Sequence, residues 1–310
     1  MLCRARNDRG VPYFRILAAA AIWGSIGVAG RIAFGAGIDP LETAFFRAVI
    51  AFLALTTAVA ISHRPLLRVQ RSDLWLFAAF GVVSIAAFFF VYLYAISRTS
   101  VATAAILLYT APVWVIVLSR LLFHEPLTRS KILAVVLAFA GCVLVVRGYD
   151  PRSLQLNLPG VLAGLASGFT YGMYSIFGKT ALRRYSPLTT LVYALGIGAA
   201  VLGGAAAAAG VISIAHSATA WAAIVYLSLV TTLLAQWLYL SGLGAVEAGR
   251  ASLVATFEPV VAAILGYVAL GELLEGWQIV GGLLVLSAVL TVRRLGRAAA
   301  SPPAAPPSPP

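Results

Sequence analysis

The chain has 310 residues, 61% of them hydrophobic and only 10% charged, with a formal net charge of +12 and a mean hydropathy of +0.97. A water-soluble domain carries about a quarter of its residues as charges, so this chain has too few polar groups to cover a core of its size, and a lipid bilayer is the better solvent. The positive excess does not indicate nucleic acid, because the basic residues fall in short clusters between apolar runs and form no single patch.

A polar tail, residues 1–13, comes first. Ten apolar runs of spanning length follow, at 14–34, 41–61, 74–96, 101–123, 130–147, 158–178, 187–210, 218–242, 249–270 and 276–292. About 20 apolar residues of helix cross the hydrocarbon, and only helices or closed barrels pair every backbone polar group there. Long runs without period-2 alternation are helices. The expected fold is therefore an all-α integral membrane bundle of ten transmembrane helices joined by short connections. The first run is too long for a cleavable signal and is followed by more of the same. The end of the chain, AAASPPAAPPSPP at 298–310, reads as a disordered or extended Pro-rich tail. Cys3 in the polar tail and Cys142 inside an apolar run have no reason to pair, and neither has partners for a metal.

Charge fixes an orientation. With the N-terminus inside, seventeen basic residues fall in inner segments, among them Arg64, Arg68, Arg71, Arg129, Lys131 and Arg250, against four at outer ends, Arg31, Arg98, Arg147 and Arg152. Arg47 is left within the second run. This bias puts both termini in the cytoplasm.

The chain also matches itself. FEPVVAAILGYVALGE at 257–272 repeats the plan of TAPVWVIVLSRLLFHE at 110–125, with Glu258 where the earlier copy has Ala111. At a shift of 147 or 148 residues, Trp23-Gly24 falls on Tyr171-Gly172, Arg31 on Lys179, Pro40-Leu41 on Pro187-Leu188, Tyr92 on Tyr239, Pro112 on Pro259 and Glu125 on Glu272. Residues 14–147 and 158–293 are thus expected to be two repeats of five helices. Five is odd, so the second is expected to be inverted relative to the first, an architecture tied to alternating access about a midplane site.

The segments AIWGS at 21–25, FFRA at 45–48, APVWVIVLSRLLFHEPLT at 111–128, FTYGMYSIFGK at 169–179 and FEPVVAAILGYVALGELL at 257–274 make the chain resemble the EamA-type transporters of the drug/metabolite transporter superfamily. The resemblance covers roughly 14–293. It implies ten transmembrane helices, cytoplasmic termini, a central cavity between the repeats, and export or exchange of small organic solutes such as amino acids or related metabolites. It also implies a Glu-Pro pair at Glu258-Pro259 in members with different substrates, which favours a shared structural or gating role, and an arginine at Arg47.

Several residues stand out on their own chemistry. A carboxylate inside a membrane helix costs at least about 2.5–3.5 kcal/mol on insertion scales, so Glu258 is expected to bind a cation, a proton or a substrate ammonium, or to bond a neighbouring helix as a structural acid. Pro112 and Pro259 remove a helix hydrogen bond and are expected to kink their helices. Arg47 snorkels outward, pairs with Glu42 or Asp39, or faces the cavity. Glu125 and Glu272 end corresponding helices, as acceptors for a neighbouring helix N-terminus or as a pair of gates. Trp23 and Tyr171 are expected in the cavity wall, with Gln236 as a further polar candidate. Gly164, Gly168 and Gly172, four apart, suit close helix packing, within the chain or in a homodimer. No P-loop, metal spacing or catalytic cluster is present, and no cofactor is expected. The expected protein is no enzyme but a secondary transporter of the cytoplasmic membrane, with a small-molecule substrate, the lipid bilayer as its surroundings, no nucleic acid partner and proton coupling as an option. An uncoupled facilitator or a membrane scaffold are the alternatives.

Overall fold

The computed structural model describes residues 10–152, 154, 156–271 and 273–298, and every regular element among them is helical. Residues 1–9 of the N-terminal tail with Cys3, the helix-end acid Glu272, and the Pro-rich tail beyond Ala298 lie outside the described residues.

In chain order the helices are α1 (Val11–Gly24), α2 (Ile26–Gly35), α3 (Pro40–Ser62), α4 (Leu74–Ala79), α5 (Phe88–Arg98), α6 (Val101–Leu108), α7 (Ala111–Phe123), α8 (Arg129–Val145), α9 (Leu158–Ala181), α10 (Pro187–Ala208), α11 (Ala218–Tyr226), α12 (Ala235–Leu243), α13 (Ala248–Ala255), α14 (Glu258–Leu270) and α15 (Gly276–Ala298). A π-helical turn, Phe80–Ala87, joins α4 to α5, and a second, Leu227–Leu234, joins α11 to α12. Polar residues start the helices. Asp39, Ser100, Thr128, Asn157, Ser186 and Ser217 each accept a hydrogen bond from an amide two or three residues on, which satisfies donors that a helix N-terminus leaves free.

Seven stretches among the described residues are long and apolar enough to cross a bilayer: Val11–Gly35, Pro40–Ser62, Arg71–Arg98, Val101–Phe123, Pro187–Ala208, Ala218–Leu243 and Ala248–Ala269. The other three apolar runs of the sequence form α8, α9 and α15. Helix α8 has 17 residues and opens on Arg-Ser-Lys, and the apolar part of α15, Gly276–Val292, is also short. Helix α9 has 24 residues but buries Gly, Ser, Thr and Tyr in the bundle. A helix screened from lipid by its neighbours needs less hydrophobicity than one that faces it.

Both prolines expected to kink a helix stand instead at a full break. Tyr109 and Thr110 form a turn between α6 and α7, and Thr256 and Phe257 form one between α13 and α14. Pro112 and Pro259 then occupy the first turn of a new helix, where a missing N–H costs nothing. Other backbone features recur at the same spacing. The π turns begin at Phe80 and Leu227, and left-handed residues close α7 at His124 (φ 58°) and α14 at Gly271 (φ 69°).

The main contacts cross between the earlier and later parts of the chain. Helix α3 lies on α10, α5 on α9, α1 on α12 and α14, and α8 on α15. The main apolar core contains Trp23, Tyr174 and Tyr239. The glycines of α9 meet α6 and the start of α7: a Cβ at Gly164 would lie 2.4 Å from Leu107 Cδ1, one at Gly168 2.7 Å from the Leu107 carbonyl, and one at Gly172 3.2 Å from the Ala111 carbonyl. Between α8 and α15 backbone approaches backbone. A Cβ at Gly141 would lie 2.6 Å from the Gly281 carbonyl oxygen, and one at Gly281 2.6 Å from the Gly141 carbonyl oxygen. Backbone cannot yield as a flexible side chain does. Gly141→Val is therefore expected to destabilise the protein by about 1–3 kcal/mol, read as a lower melting temperature in detergent. Gly204→Val, where open space surrounds the Cβ position, serves as the control.

Candidate functional site

The second π turn gathers the interior. Its wider register is a frequent mark of functional sites. The carbonyl of Leu227 accepts from the hydroxyls of both Thr231 and Thr232 at 2.8 Å. The Thr231 carbonyl accepts from the Trp23 indole N–H at 3.1 Å, and Thr232 Oγ1 accepts from Arg47 Nε at 3.2 Å. One turn of backbone therefore holds two of the side chains singled out in the sequence. Of the three options for Arg47, pairing with Glu42 or Asp39 does not occur. Glu42 accepts from the Ser213 amide and sits 2.9 Å from His216 Nε2, while Asp39 caps its own helix. Arg47 instead reaches Thr232 on the second π turn, beside the Thr231 carbonyl that holds Trp23.

Glu258 is the first residue of α14, where the positive end of the helix dipole favours a negative charge. It is half-buried, and its Oε2 accepts from the Tyr171 hydroxyl at 3.2 Å. The Tyr171 ring lies 6.5 Å from that of Trp23 and 5.5 Å from that of Phe88. Trp23 in turn packs 5.3 Å from Tyr239, whose hydroxyl is 2.7 Å from Ser175 Oγ. Trp23, Tyr171, Glu258 and Arg47 are thus brought together in one aromatic, partly charged interior. Gln236 is not joined to it by any hydrogen bond among the described residues; its buried Oε1 has no hydrogen-bond partner there. Sequence reasoning missed Thr231 and Thr232, although two adjacent threonines after Ser228 in an otherwise apolar stretch were the available signal.

One end of the bundle is closed by buried charge. Lys131, 2% exposed, lies 2.6 Å from Glu247 and 3.7 Å from Glu125. Glu125 also accepts from the amides of Ala248 (2.6 Å) and Gly249 (3.2 Å), the free donors at the start of α13. Arg250 Nε lies 2.9 Å from Glu247, and Lys179 Nζ donates to the carbonyls of Leu243 and Val246 at 2.9 and 2.6 Å. The start of α1 lies at this end, because a Cβ on Gly242 would meet the Pro12 carbonyl. Helix α2 and the start of α11 are therefore at the other end. There a cleft of about 360 Å³ opens between α2, α11 and α14, lined by Val28, Ala223 and Leu265 with Ser25 and Tyr226, whose hydroxyls are 2.8 Å apart.

A multi-pass helical bundle with a polar interior among aromatic side chains, shut at one end and cleft at the other, has the architecture of a membrane transporter. The model of the EamA-like transporter family matches residues 11–147 and again 158–294, and the chain belongs to that family, within the drug/metabolite transporter superfamily. It is 32% identical over 279 residues to an uncharacterized transporter of Archaeoglobus fulgidus, covering 90% of this chain and 95% of that protein. It is 27% identical over 296 residues to the uncharacterized inner membrane transporter YicL of Salmonella typhimurium, covering 92% and 97%. A solved structure titled only "Crystal structure of protein" superposes with a TM-score of 0.80 at 18% identity, over 94% of this chain and 99% of that one. It shares the fold.

The buried charges generate a stability prediction. Removing one partner of a buried ion pair leaves the other uncompensated, at about 3–5 kcal/mol. Lys131→Met is expected to lower the melting temperature strongly, and adding Glu247→Gln is expected to recover part of the loss. A double-mutant cycle on thermal unfolding measures the coupling.

Proposed function

We propose that this protein is a secondary transporter of small organic metabolites, amino acids or related compounds, across the cytoplasmic membrane. It works by alternating access of two inverted five-helix repeats, residues 14–147 and 158–293, ten transmembrane helices in all. Both termini face the cytoplasm, which the seventeen-to-four bias of basic residues supports. The buried charges around Lys131 then lie at the cytoplasmic end, and the cleft, whose lining includes none of Trp23, Arg47, Tyr171 and Glu258, lies at the outer end.

The observation that carries this reading is the joining of Glu258 to Tyr171 in an interior that also holds Trp23 and Arg47. An acid beside aromatic faces suits a solute ammonium, which the ring quadrupoles also attract. A carboxyl group in that position can also carry a proton between the two faces. In this reading Glu258 is the coupling residue, Trp23 and Tyr171 form the wall, and Arg47 complements the negative end of a zwitterion.

An uncoupled facilitator is the second reading, and the placement of Glu258 at a helix N-terminus favours it, because that position gives the acid a purely structural use. Proteoliposomes loaded with a panel of amino acids and related metabolites, under an imposed pH gradient, separate the two. Glu258→Gln, at equal folding, is expected to weaken solute exchange, because the charge facing the ammonium is gone, and to lose the response to the gradient. An unchanged pH response in this variant makes the Glu-Pro pair architecture and places coupling elsewhere, whereas a wild type that moves solute without responding to the gradient is a facilitator.

A further inference from the structure

The connection between α3 and α4 contains Arg64, Arg68 and Arg71, and its backbone is fixed. Two 3-10 turns, Arg64–Leu67 and Arg71–Asp73, shape it. The Leu66 carbonyl accepts from Thr189 Oγ1 at 2.8 Å and the Leu67 carbonyl from the Tyr193 hydroxyl at 2.6 Å. The Gln70 amide donates to the Tyr185 hydroxyl at 3.1 Å, and that hydroxyl donates to Asp73 at 2.6 Å. Asp73, the acid of this connection, is further engaged by Arg184 at 3.2 Å.

The three arginines take no part in this scaffold. All are exposed, and no carboxylate among the described residues pairs with any of them; Arg64 donates through Nε to the Ala60 carbonyl at 3.0 Å. Three cationic groups are thus held on a rigid strip of backbone without counter-charge. Apolar side chains flank the strip, with Ile61 81% and Trp75 67% exposed. An exposed Trp beside basic residues marks the level where hydrocarbon gives way to headgroups, and arginines there attract anionic lipid.

We propose that Arg64, Arg68 and Arg71 form a preorganised docking site for the headgroup of an anionic phospholipid, with Ile61 and Trp75 against its acyl chains. The fixed loop distinguishes the site from a mobile basic tail, since its backbone needs no ordering before the arginines bind. The apolar flanks favour a phosphate carried on a lipid over a free one.

The test is native mass spectrometry of the full-length protein in detergent with phosphatidylglycerol or phosphatidylcholine of matched chains. The wild type is expected to retain phosphatidylglycerol preferentially. R64Q/R68Q/R71Q is expected to weaken that retention by about tenfold or more, while Arg129→Gln, in another basic cluster, leaves it unchanged. Excess inorganic phosphate is expected not to displace the lipid. Because the three side chains point outward, melting in phosphatidylcholine alone should be the same for the triple variant and the wild type, which separates lost binding from lost folding. Equal retention by the triple variant and the wild type overturns the proposal. So does displacement by inorganic phosphate, which would make this a site for the free anion.

Discussion

A helix interrupted within the bilayer must find partners for the amides and carbonyls it releases, because hydrocarbon offers none. This protein interrupts its helices repeatedly, at Ser25, at Tyr109-Thr110, at Thr256-Phe257 and through two π turns. The side chains of the interior are organised around those points. Trp23 donates to a carbonyl of the π turn, Arg47 to a hydroxyl on the same turn, and Glu258 occupies the first position after a break. The polar groups that function needs and those that broken helices expose answer one another, so the interior can be polar without stranding its backbone.

The two ends of the bundle are treated differently. At one, Glu125 and Lys131 are buried, Glu247 and Arg250 are partly so, and together they tie the loop after α7 to the start of α13. At the other, Arg147 and Glu275 pair at 3.2 Å while both remain nearly half exposed. Exposed pairs contribute little, whereas a buried network resists the loss of any one member. The charged end is the firmer closure, and the cleft lies opposite it. Such an inequality between corresponding ends is what a transporter needs in any one of its states.

Much of this was legible in the sequence. Hydropathy located the apolar helices, seven of which among the described residues are long and apolar enough to span a bilayer, and Pro112 and Pro259 drew attention to the two places where a kink was expected and a full break is found. Glu258 was conspicuous as an acid in an oily stretch, and Trp23 and Tyr171 through their corresponding positions. The π turns were not legible: LSLVTTLL at 227–234 reads as another apolar segment, and a change of hydrogen-bond register leaves no compositional trace. Nor was the role of Lys131. In the sequence it is one more basic residue near a helix start, and only packing brings it to Glu247, far along the chain. The inward turn of Arg47 was one of three options that local sequence could not separate, because its partner Thr232 lies on another helix.

The central claim is that Glu258 faces a water-accessible interior reached from the end opposite the buried charges. Thiol labelling tests it most directly. Cys3 and Cys142 would be replaced, Glu258→Cys introduced, and a membrane-impermeant methanethiosulfonate reagent added to vesicles of known orientation. The account predicts modification from the extracellular side, slowed by bulky reagents that cannot enter the cleft. Absence of modification from either side, with labelling only by a lipid-soluble reagent, would contradict it and return Glu258 to a purely structural role.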